Sequence, residues 1–580
     1  MKDKKEFYNL LTELDGKSVS EYQQLIGDFD FSRYVIKCMG INFDTEGAIS
    51  PVFSIRIPQT IAEIPEYLFD SPIRRTALED LLLRRLEANV DRIASYDQSG
   101  VARRFVRLAT PSQKILPRNA LLITKEYIEV TLEIILPVQG VVVEGEPTLA
   151  IDGVMAQQIF FEDMPEIVCN SLLYCNVDSA TADEHVNNME DADRLRQHLG
   201  ASGQVSFVAE GALLSRGADG DAPDYERLLP VDVDEGLIEE VELPHSGVVR
   251  GVGIPQGLTL ILGESNSGRV DLMEAIAQGI YNHVPGDGRE RVVTVADAVS
   301  IRTEIGRSIQ QVDISAFVNE LSDGGNPMSY STASAGSFTS QAASTVEALE
   351  AGARVLLFDE HSSSSTFLSS DTRVSSLLGK SSRNTLAARA RQMVDELGVS
   401  LVVAGSSLVA EFIPIADKIL KVENYCVSDI TEEAKALEIT PSTVEGSDSF
   451  NMPSLLSRSR WVMPSSIDPS VGREDIVIEA GEENYLQFGR SLVDLDAIGQ
   501  IASVDQARAI GFVLYYAKLR YMDEGYPLRE ILDLVDRDLS NEGLNALVRD
   551  PRGDLSRPRR YEVAAALNRL PAFRVSHVTE

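Results

Sequence analysis

The eight residues from Gly263 to Val270 have the types and spacing of a loop that binds phosphate groups. They read Gly-Glu-Ser-Asn-Ser-Gly-Arg-Val and follow the apolar run Leu258–Leu262, which predicts a buried strand. The pattern G-x-x-x-x-G-K-[ST] between a strand and a helix surrounds phosphate oxygens with backbone N–H groups. The candidate phosphate-binding residues are Gly263, Glu264, Ser265, Asn266, Ser267, Gly268, Arg269 and Val270.

Two side chains of this loop differ from the Walker A pattern. Arg269 replaces the lysine, and Val270 replaces the Ser or Thr whose hydroxyl binds Mg²⁺. Arginine keeps the positive charge, but its planar guanidinium is not interchangeable with the compact ammonium group of lysine. Valine has no oxygen to offer a metal ion. The residues therefore predict a degenerate loop whose backbone still contacts phosphate, with weakened Mg²⁺ binding and hydrolysis.

An acidic pair follows a second apolar run. Val355–Phe358 predicts a buried strand, and Asp359 and Glu360 come directly after it. In sites that transfer phosphoryl groups, one acid of such a Walker B pair organises Mg²⁺ and a second polar residue orients the attacking water. Asp359 is therefore the candidate metal ligand and Glu360 the candidate catalytic residue. The alternative interpretation is a strand that ends in a polar turn.

The segment between these two motifs is rich in small and hydroxyl-bearing residues. It precedes a predicted helix at 345–352, and helix starts attract anions through free amides and the positive end of the dipole. An ordinary N-capped helix is the alternative. The candidate contacts to a terminal phosphate are Ser337, Thr339, Ser340 and Gln341.

The order of these motifs resembles that of the predicted ATPases of the ABC class, a family of proteins without transporter domains. The resemblance runs through most of the 580 residues, and its most specific part is residues 281–290, Tyr-Asn-His-Val-Pro-Gly-Asp-Gly-Arg-Glu. Other segments that match the family are 74–80, 210–216, 251–257, 312–315, 339–343 and 564–570.

The resemblance implies an ATP-binding protein with Mg²⁺ as its cofactor. It further implies a homodimer in which Thr339, Ser340 and Gln341 of one subunit face a nucleotide held by the phosphate loop of the other. The sequence departs from the family at the phosphate-facing positions, and Gly405–Ser407 stands where many relatives carry a switch histidine. Two function classes remain open: an ABC-class ATPase with weak hydrolysis, and a catalytically inactive pseudo-ATPase that acts as a scaffold or a nucleic-acid-associated module.

Charge and hydropathy limit the partners of the chain. A net charge of −36 argues against a general electrostatic attraction to nucleic acid. Arginine clusters at 74–85, 103–107 and 557–560 are more typical of solvated or salt-bridged faces, although the resemblance leaves RNA or DNA open as a partner of the N-terminal domain. The chain has no apolar run of about 18 residues and begins with charged residues, which predicts a cytoplasmic protein outside the membrane. The four scattered cysteines predict reduced thiols.

The predicted fold class is α/β, with an ABC-type P-loop core. Three domains are predicted: an N-terminal α+β domain at 1–245, the P-loop ATPase core at 246–430, and a C-terminal linker and mostly helical domain at 431–580. In the first, Lys4–Leu14 and Ile73–Ala94 have helical patterns, and Glu129–Leu136 alternates like a strand. In the third, a strand pair is predicted at 476–479 and 485–488.

Overall fold

The computed structural model describes residues 1–43, 49–93, 105–143, 146–217, 220–226, 229–321, 324–370, 383–437, 439, 450–457, 460–472, 475–522 and 525–576. The chain folds into two compact units. Unit 1 comprises Met1–Glu190 together with Asn541–Arg557, and unit 2 comprises Asp191–Ser540 together with Pro558–Glu580. The three domains drawn from the sequence remain a prediction. Most of the linker predicted at 440–460 lies outside the described residues.

Unit 1 combines an antiparallel sheet with helices. Its helices are α1 (Lys4–Leu14), α2 (Gln59–Ala62), α3 (Pro72–Ile93), α4 (Gly153–Gln158), α5 (Met164–Leu172) and α6 (Ser179–Ser202), the last of which continues into unit 2. Its strands are β1 (Lys2–Asp3), β2 (Gly27–Asp30), β3 (Val35–Phe43), β4 (Ile49–Pro58), β5 (Val106–Arg107), β6 (Lys114–Ile115), β7 (Leu121–Ile123), β8 (Tyr127–Ile134), β9 (Val138–Val143) and β10 (Glu146–Ile151).

The main sheet of unit 1 has the strand order β1-β2-β3-β4-β8-β5, and β7 also pairs with β8. Strand β8 alternates between buried and partly buried residues, as expected for a strand with one face on the core. Helix α3 buries Leu78, Leu82, Leu86 and Val90, which recur every fourth residue and so form one apolar stripe. The predicted helices at 4–14 and 73–94 and the predicted strand at 129–136 are confirmed.

A segment from far along the sequence completes unit 1. The side chain of Asn119 donates to the carbonyl of Arg552 (2.7 Å) and accepts from the N–H of Leu555 (3.0 Å). Gly553 lies against strand β8, because a Cβ there would come within 2.0 Å of the carbonyl oxygen of Thr131. Residues 541–557 are therefore closely fitted to the sheet of unit 1.

The arginine-rich motif at 74–85 is bound to protein groups. The fully buried carboxylate of Asp80 accepts from Arg84 Nε (2.6 Å) and lies 3.2 Å from Nε2 of His185. Arg74 forms an ion pair with Glu190 (2.5 Å), and Arg85 donates to the carbonyl of Asn170 (2.8 Å). These arginines hold helices together within unit 1. Arg103 and Arg104 of the second cluster lie outside the described residues.

Unit 2 contains the predicted P-loop core. Its helices are α7 (Arg269–Gln278), α8 (Ser337–Glu350), α9 (Ser365–Leu368), α10 (Leu386–Leu397), α11 (Thr431–Lys435), α12 (Ser454–Ser457), α13 (Val504–Arg520), α14 (Leu528–Glu542) and α15 (Arg560–Leu567). Its first strands are β11 (Gln204–Ala209), β12 (Asp232–Val233), β13 (Glu239–Leu243), β14 (Gly247–Pro255), β15 (Leu258–Leu262), β16 (Asn282–His283), β17 (Val292–Thr294), β18 (Ala298–Ser300), β19 (Ile309–Val312) and β20 (Tyr330–Thr332).

Its remaining strands are β21 (Val355–Asp359), β22 (Ser400–Gly405), β23 (Lys418–Glu423), β24 (Cys426–Asp429), β25 (Trp461–Val462), β26 (Ser470–Val471), β27 (Asp475–Ile476), β28 (Ile478–Glu482), β29 (Tyr485–Phe488), β30 (Ser491–Asp494) and β31 (Val575–Ser576). Strands β28, β29 and β30 form a three-stranded antiparallel sheet. The predicted strand pair at 476–488 is confirmed, and the C-terminal region contains more strand than the sequence predicted.

The central sheet of unit 2 has the order β12-β24-β23-β15-β22-β21-β18. Strand β15 lies parallel between β23 and β22, and β22 lies parallel to β21. These strands are almost continuously apolar and buried, which is typical of a parallel sheet covered on both faces. Since parallel strands end at one edge of the sheet, this topology brings the ends of β15, β21 and β22 together. The predicted α/β fold is confirmed.

The carboxyl group of Glu79 predicts how unit 1 responds to pH. Burial raises the pKa of Glu79 to about 8, although the N–H of Ile123 and the charge of Arg75 oppose the rise. The folded chain therefore holds this proton more tightly than the unfolded chain does. The contribution of Glu79 to stability is thus present below pH 4.5 and is lost as the pH rises towards 8.

Glu79→Gln removes this pH dependence. Between about pH 5 and pH 8, we expect the thermal midpoint of the wild type to fall by at least about 2 °C more than that of Glu79→Gln. Circular dichroism melts of both proteins at both pH values measure the difference. Equal losses in the two proteins would contradict the assignment.

Candidate functional site

The two glycines of the loop at 263–268 are required by close packing. Gly268 precedes α7 with a φ of +92°, and a Cβ there would lie 2.8 Å from ring carbons of Tyr425. A Cβ on Gly263 would lie 2.5 Å from Oγ of Ser267 and 2.8 Å from the carbonyl oxygen of Val422. The backbone therefore turns tightly between β15 and α7, and larger residues do not fit at either end of the turn.

A hairpin tip holds this loop from the side. Asn424 and Tyr425 connect β23 to β24, and both have positive φ, at 52° and 63°. The N–H of Tyr425 donates to the carbonyl of Ser267 (2.9 Å), and its hydroxyl donates to the carboxylate of Asp271. Because a trans peptide directs its C=O and N–H to opposite sides, this contact turns the N–H of Gly268 away from the hairpin.

Backbone amides of the loop are free to bind an anion. Within the described part of the chain, the N–H groups of Ser265, Asn266 and Gly268 donate to no protein acceptor. Glu264, Ser265 and Asn266 are exposed. The hydroxyl of Ser267 donates back to the carbonyl of Glu264 (2.8 Å) and thereby stabilises the turn. The loop thus presents several donors beside the start of a helix, the arrangement that binds phosphate groups.

Arg269 lies beneath the loop and not on its surface. Its side chain is only 2% exposed. Nε donates to the carbonyl of Gly263 (3.0 Å), and Nη1 forms an ion pair with Oδ2 of Asp359 (3.2 Å). The arginine of the degenerate Walker A loop is therefore bonded directly to the candidate metal ligand of the Walker B motif.

Both acids at the end of β21 have protein partners. Oδ1 of Asp359 accepts the N–H of His361 (2.7 Å), which begins a short turn of helix. The carboxylate of Glu360 accepts the N–H of Ser406, and its Oε2 accepts the Ser406 hydroxyl (3.0 Å). Gly405 leaves room for this contact, because a Cβ there would lie 2.8 Å from Oε2 of Glu360.

These contacts affect whether the site can bind the Mg²⁺ that P-loop sites normally hold. The ion needs oxygen ligands, which the pattern takes from a hydroxyl after the lysine and from the acid of the Walker B strand. Val270 supplies no oxygen, and each carboxylate oxygen of Asp359 already accepts from a protein N–H group. The residues present do not fit Mg²⁺ at this position.

Two of the four predicted contact residues at the start of α8 are buried inside unit 2. Ser340 and Gln341 are fully buried. The hydroxyl of Ser340 accepts from the N–H of Glu304 (3.1 Å), while Gln341 donates to Oγ of Ser363 (2.8 Å). Gln341 also accepts from the N–H of Ser364 (2.7 Å). Both side chains hold α8 to its own unit in this structure, and their contact with a terminal phosphate stays a prediction.

Ser337 and Thr339 remain at the surface of the helix start. Both are partly exposed. Thr339 Oγ1 donates to the carbonyl of Gly336 (3.2 Å), and Oγ of Ser337 accepts from Ser364 (3.3 Å). Of the predicted signature-like contacts, these two side chains are therefore the ones that a ligand can reach.

The motif at 281–290 forms a buried charge cluster with the motif at 210–216. Asp287 is paired with Nδ1 of His283 (2.7 Å) and with Arg216 (2.7 Å). Despite burial, His283 and Arg216 hold the pKa of Asp287 below its usual range. Arg289 donates to the carbonyl of Leu214 (3.1 Å), and burial lowers the pKa of its guanidinium to about 10. Both motifs therefore belong to one structural cluster.

Two residues that contact the candidate site were not identified as site residues from the sequence. Tyr425 supports the loop. Ser406 holds Glu360 and lies at the position that the resemblance assigns to a switch histidine. The signal for Tyr425 is its position after Asn424 between two apolar runs, which is typical of a two-residue hairpin turn. The signal for Ser406 is its place at the end of β22, beside the acidic pair.

A central parallel strand that leads through a glycine-framed loop into a helix defines the class of P-loop α/β proteins. Three family models match the chain. The P-loop domain of ABC_ATPase matches residues 178–454, the model for the N-terminal part of ATPases of the ABC class matches 4–175, and the MRB1590 C-terminal domain matches 478–576. The chain belongs to the ABC-class ATPase family.

One curated relative is Uncharacterized protein MJ1628 of Methanocaldococcus jannaschii. It is 26% identical over an alignment of 270 residues that covers 44% of this chain and 57% of the relative. The chain thus spans somewhat more than half of the length of that protein. Among the described residues, helices long and apolar enough to span a bilayer are absent.

Gly268→Ala tests whether this loop binds nucleotide. The variant forces a Cβ against the ring of Tyr425 at a φ that disfavours alanine, so the loop must shift. Gly352→Ala is the matched control, since Gly352 has a φ of +97° and open space around its Cβ.

We expect the left-handed backbone to cost each variant about 1–2 kcal/mol of stability. Only Gly268→Ala should weaken ATP binding, by about tenfold or more, in a calorimetric titration. Equal ATP affinities in the two variants would show that the loop does not hold the nucleotide.

Proposed function

We propose that this chain is an ABC-class ATP-binding protein that holds the phosphates of the nucleotide at residues 263–270 and hydrolyses ATP slowly. The observation that carries the proposal is the set of amides at Ser265, Asn266 and Gly268, which precede α7 and donate to no protein acceptor in the described part of the chain. The guanidinium of Arg269 adds a positive charge beneath them. Together they match the donors and the charge that a polyphosphate requires.

Slow turnover follows from the surroundings of Glu360. In an active site this carboxylate polarises the attacking water, for which it needs a free lone pair directed at that water. Here the N–H and hydroxyl of Ser406 both donate to it. Serine also lacks the charge that a histidine at this place would offer to the terminal phosphate. We therefore expect the protein to bind ATP and to hydrolyse it only slowly.

The second candidate is a pseudo-ATPase that acts as a scaffold or interaction module. The pairing of Asp359 with Arg269 favours it, because this contact takes both the arginine side chain and the acid out of their catalytic roles. In either case we propose a cytoplasmic protein. Pairing of two copies through Ser337 and Thr339 at the start of α8 is also part of the proposal. RNA or DNA as a partner is less favoured, since the arginines at 74–85 bond to protein groups.

Calorimetric titration of the full chain with Mg-ATP separates these functions. We expect micromolar binding by the wild type, together with slow release of phosphate in a coupled assay. Glu360→Gln should retain binding and abolish the remaining turnover. If Glu360→Gln leaves turnover unchanged, Glu360 is not catalytic and the pseudo-ATPase is favoured.

Ser406→Ala is the complementary variant. It removes the hydroxyl donor and leaves the backbone N–H, so it frees part of the Glu360 carboxylate without changing the charge of the site. We expect the turnover rate to rise by a few fold, on the order of one lost hydrogen bond of about 1 kcal/mol. Absence of ATP binding by the wild type would overturn the proposed function altogether.

A further inference from the structure

We infer that the phosphate site of this chain binds its nucleotide without a divalent cation between the phosphates and the protein, because the guanidinium of Arg269 occupies the cation's place at Asp359. The inference rests on the proposed function, and it specifies how the ligand is held: through its phosphates, with no cation ligated by the protein. It differs from the usual behaviour of P-loop proteins, in which Mg²⁺ bridges the phosphates and the protein.

The first support is the geometry of the ion pair. Nη1 of Arg269 lies 3.2 Å from Oδ2 of Asp359, and the side chains are only 2% and 14% exposed. Removing one partner of such a buried pair leaves the other charge without compensation. A cation that approached Asp359 would have to displace the guanidinium from this environment and leave it unpaired.

The second support is the anchoring of Arg269 at its other end. Nε of the guanidinium donates to the carbonyl of Gly263 (3.0 Å), which is the first residue of the loop. The arginine thus joins the beginning of the phosphate loop to the Walker B strand. A planar fork makes two such bonds at once, whereas the single ammonium group of lysine has a different shape and reach.

The third support is the lack of a free side-chain oxygen at the two positions that normally bind the metal. Val270 has an apolar side chain, and the second carboxylate oxygen of Asp359 accepts the N–H of His361 (2.7 Å). Mg²⁺ demands near-octahedral oxygen coordination and gives up its water reluctantly. The two positions that normally supply its protein ligands are thus both unsuitable in this chain.

The inference has a direct thermodynamic consequence. Where a metal bridges ligand and protein, metal and ligand strengthen each other's binding by the same factor. Where an arginine fills the metal position, Mg²⁺ carried by the nucleotide gains no ligand from the protein. Free ATP and Mg-ATP then bind alike, and this coupling disappears. The affinity of the wild type for ATP should therefore change by less than about threefold between a buffer with excess MgCl₂ and one with EDTA.

Two variants test the physical cause. In Arg269→Lys/Val270→Ser the fork is lost and a hydroxyl returns, so Mg²⁺ should strengthen ATP binding by about tenfold or more. Val270→Ser alone is the matched control. It gains the hydroxyl and keeps the guanidinium on Asp359, so its ATP affinity should remain independent of Mg²⁺. Circular dichroism melts verify that each variant is folded.

A further titration identifies the part of the ligand that the site recognises. Inorganic tripolyphosphate in EDTA carries the phosphates without the nucleoside. Binding of ATP and tripolyphosphate with similar affinity would assign recognition to the phosphates, whereas binding of ATP alone would add a contact to the nucleoside. Either result is compatible with a metal-free site.

Each outcome decides one question. ATP binding by the wild type that strengthens at least about tenfold with MgCl₂ would overturn the metal-free site, even if the variants failed to fold. Mg²⁺ dependence in Val270→Ser alone would show that the arginine does not exclude the cation. A wild type that binds ATP in neither buffer would instead overturn the proposed function, and the inference with it.

Discussion

The parallel pairing of β15, β21 and β22 is the constraint on which the candidate site depends. Leu262 pairs with Gly405, and Asp359 pairs with Ala404, so three separate segments of the sequence end at one level of one sheet. Each strand is stabilised by apolar burial on both faces, which leaves its polar groups at the carboxyl end. Ligands of open α/β sheets bind at this edge, since the chain leaves the strands there as loops and helix starts.

The contact between Arg269 and Asp359 is a consequence of this topology. Two charges buried together contribute little to the net stability of a fold, because the loss of hydration offsets their attraction. Their effect is on the specificity of binding. The guanidinium of Arg269 keeps other cations away from Asp359, and Asp359 keeps other anions away from Arg269. A catalytic site needs its charges available for the substrate, whereas here they are bonded to each other. The carboxylate of Glu360 is likewise engaged, because it accepts the hydroxyl of Ser406.

The sequence predicted the elements of the core better than the contacts of the site. Strands β15 and β21 could be predicted because fully buried strands consist of short apolar runs, and α7 because it follows the glycine pattern. The orientation of Ser340 and Gln341 could not be predicted, since a polar helix start looks the same whether its side chains face solvent or a neighbouring loop. Likewise, the partner of Arg269 stands 90 residues away in the sequence. No local pattern reveals such a pair.

Residues 541–557 belong to the first unit although they lie more than 300 residues after the rest of it in the sequence. The first unit begins the sequence, but Gly553 packs against its sheet and the N–H of Leu555 donates to Asn119 of that unit. A ribosome releases the chain in order, so this unit lacks part of its own structure until almost the whole protein has been synthesised. During translation the unit that starts first is therefore completed only near the end of synthesis, and its exposed strands depend for that interval on their own solubility or on chaperones.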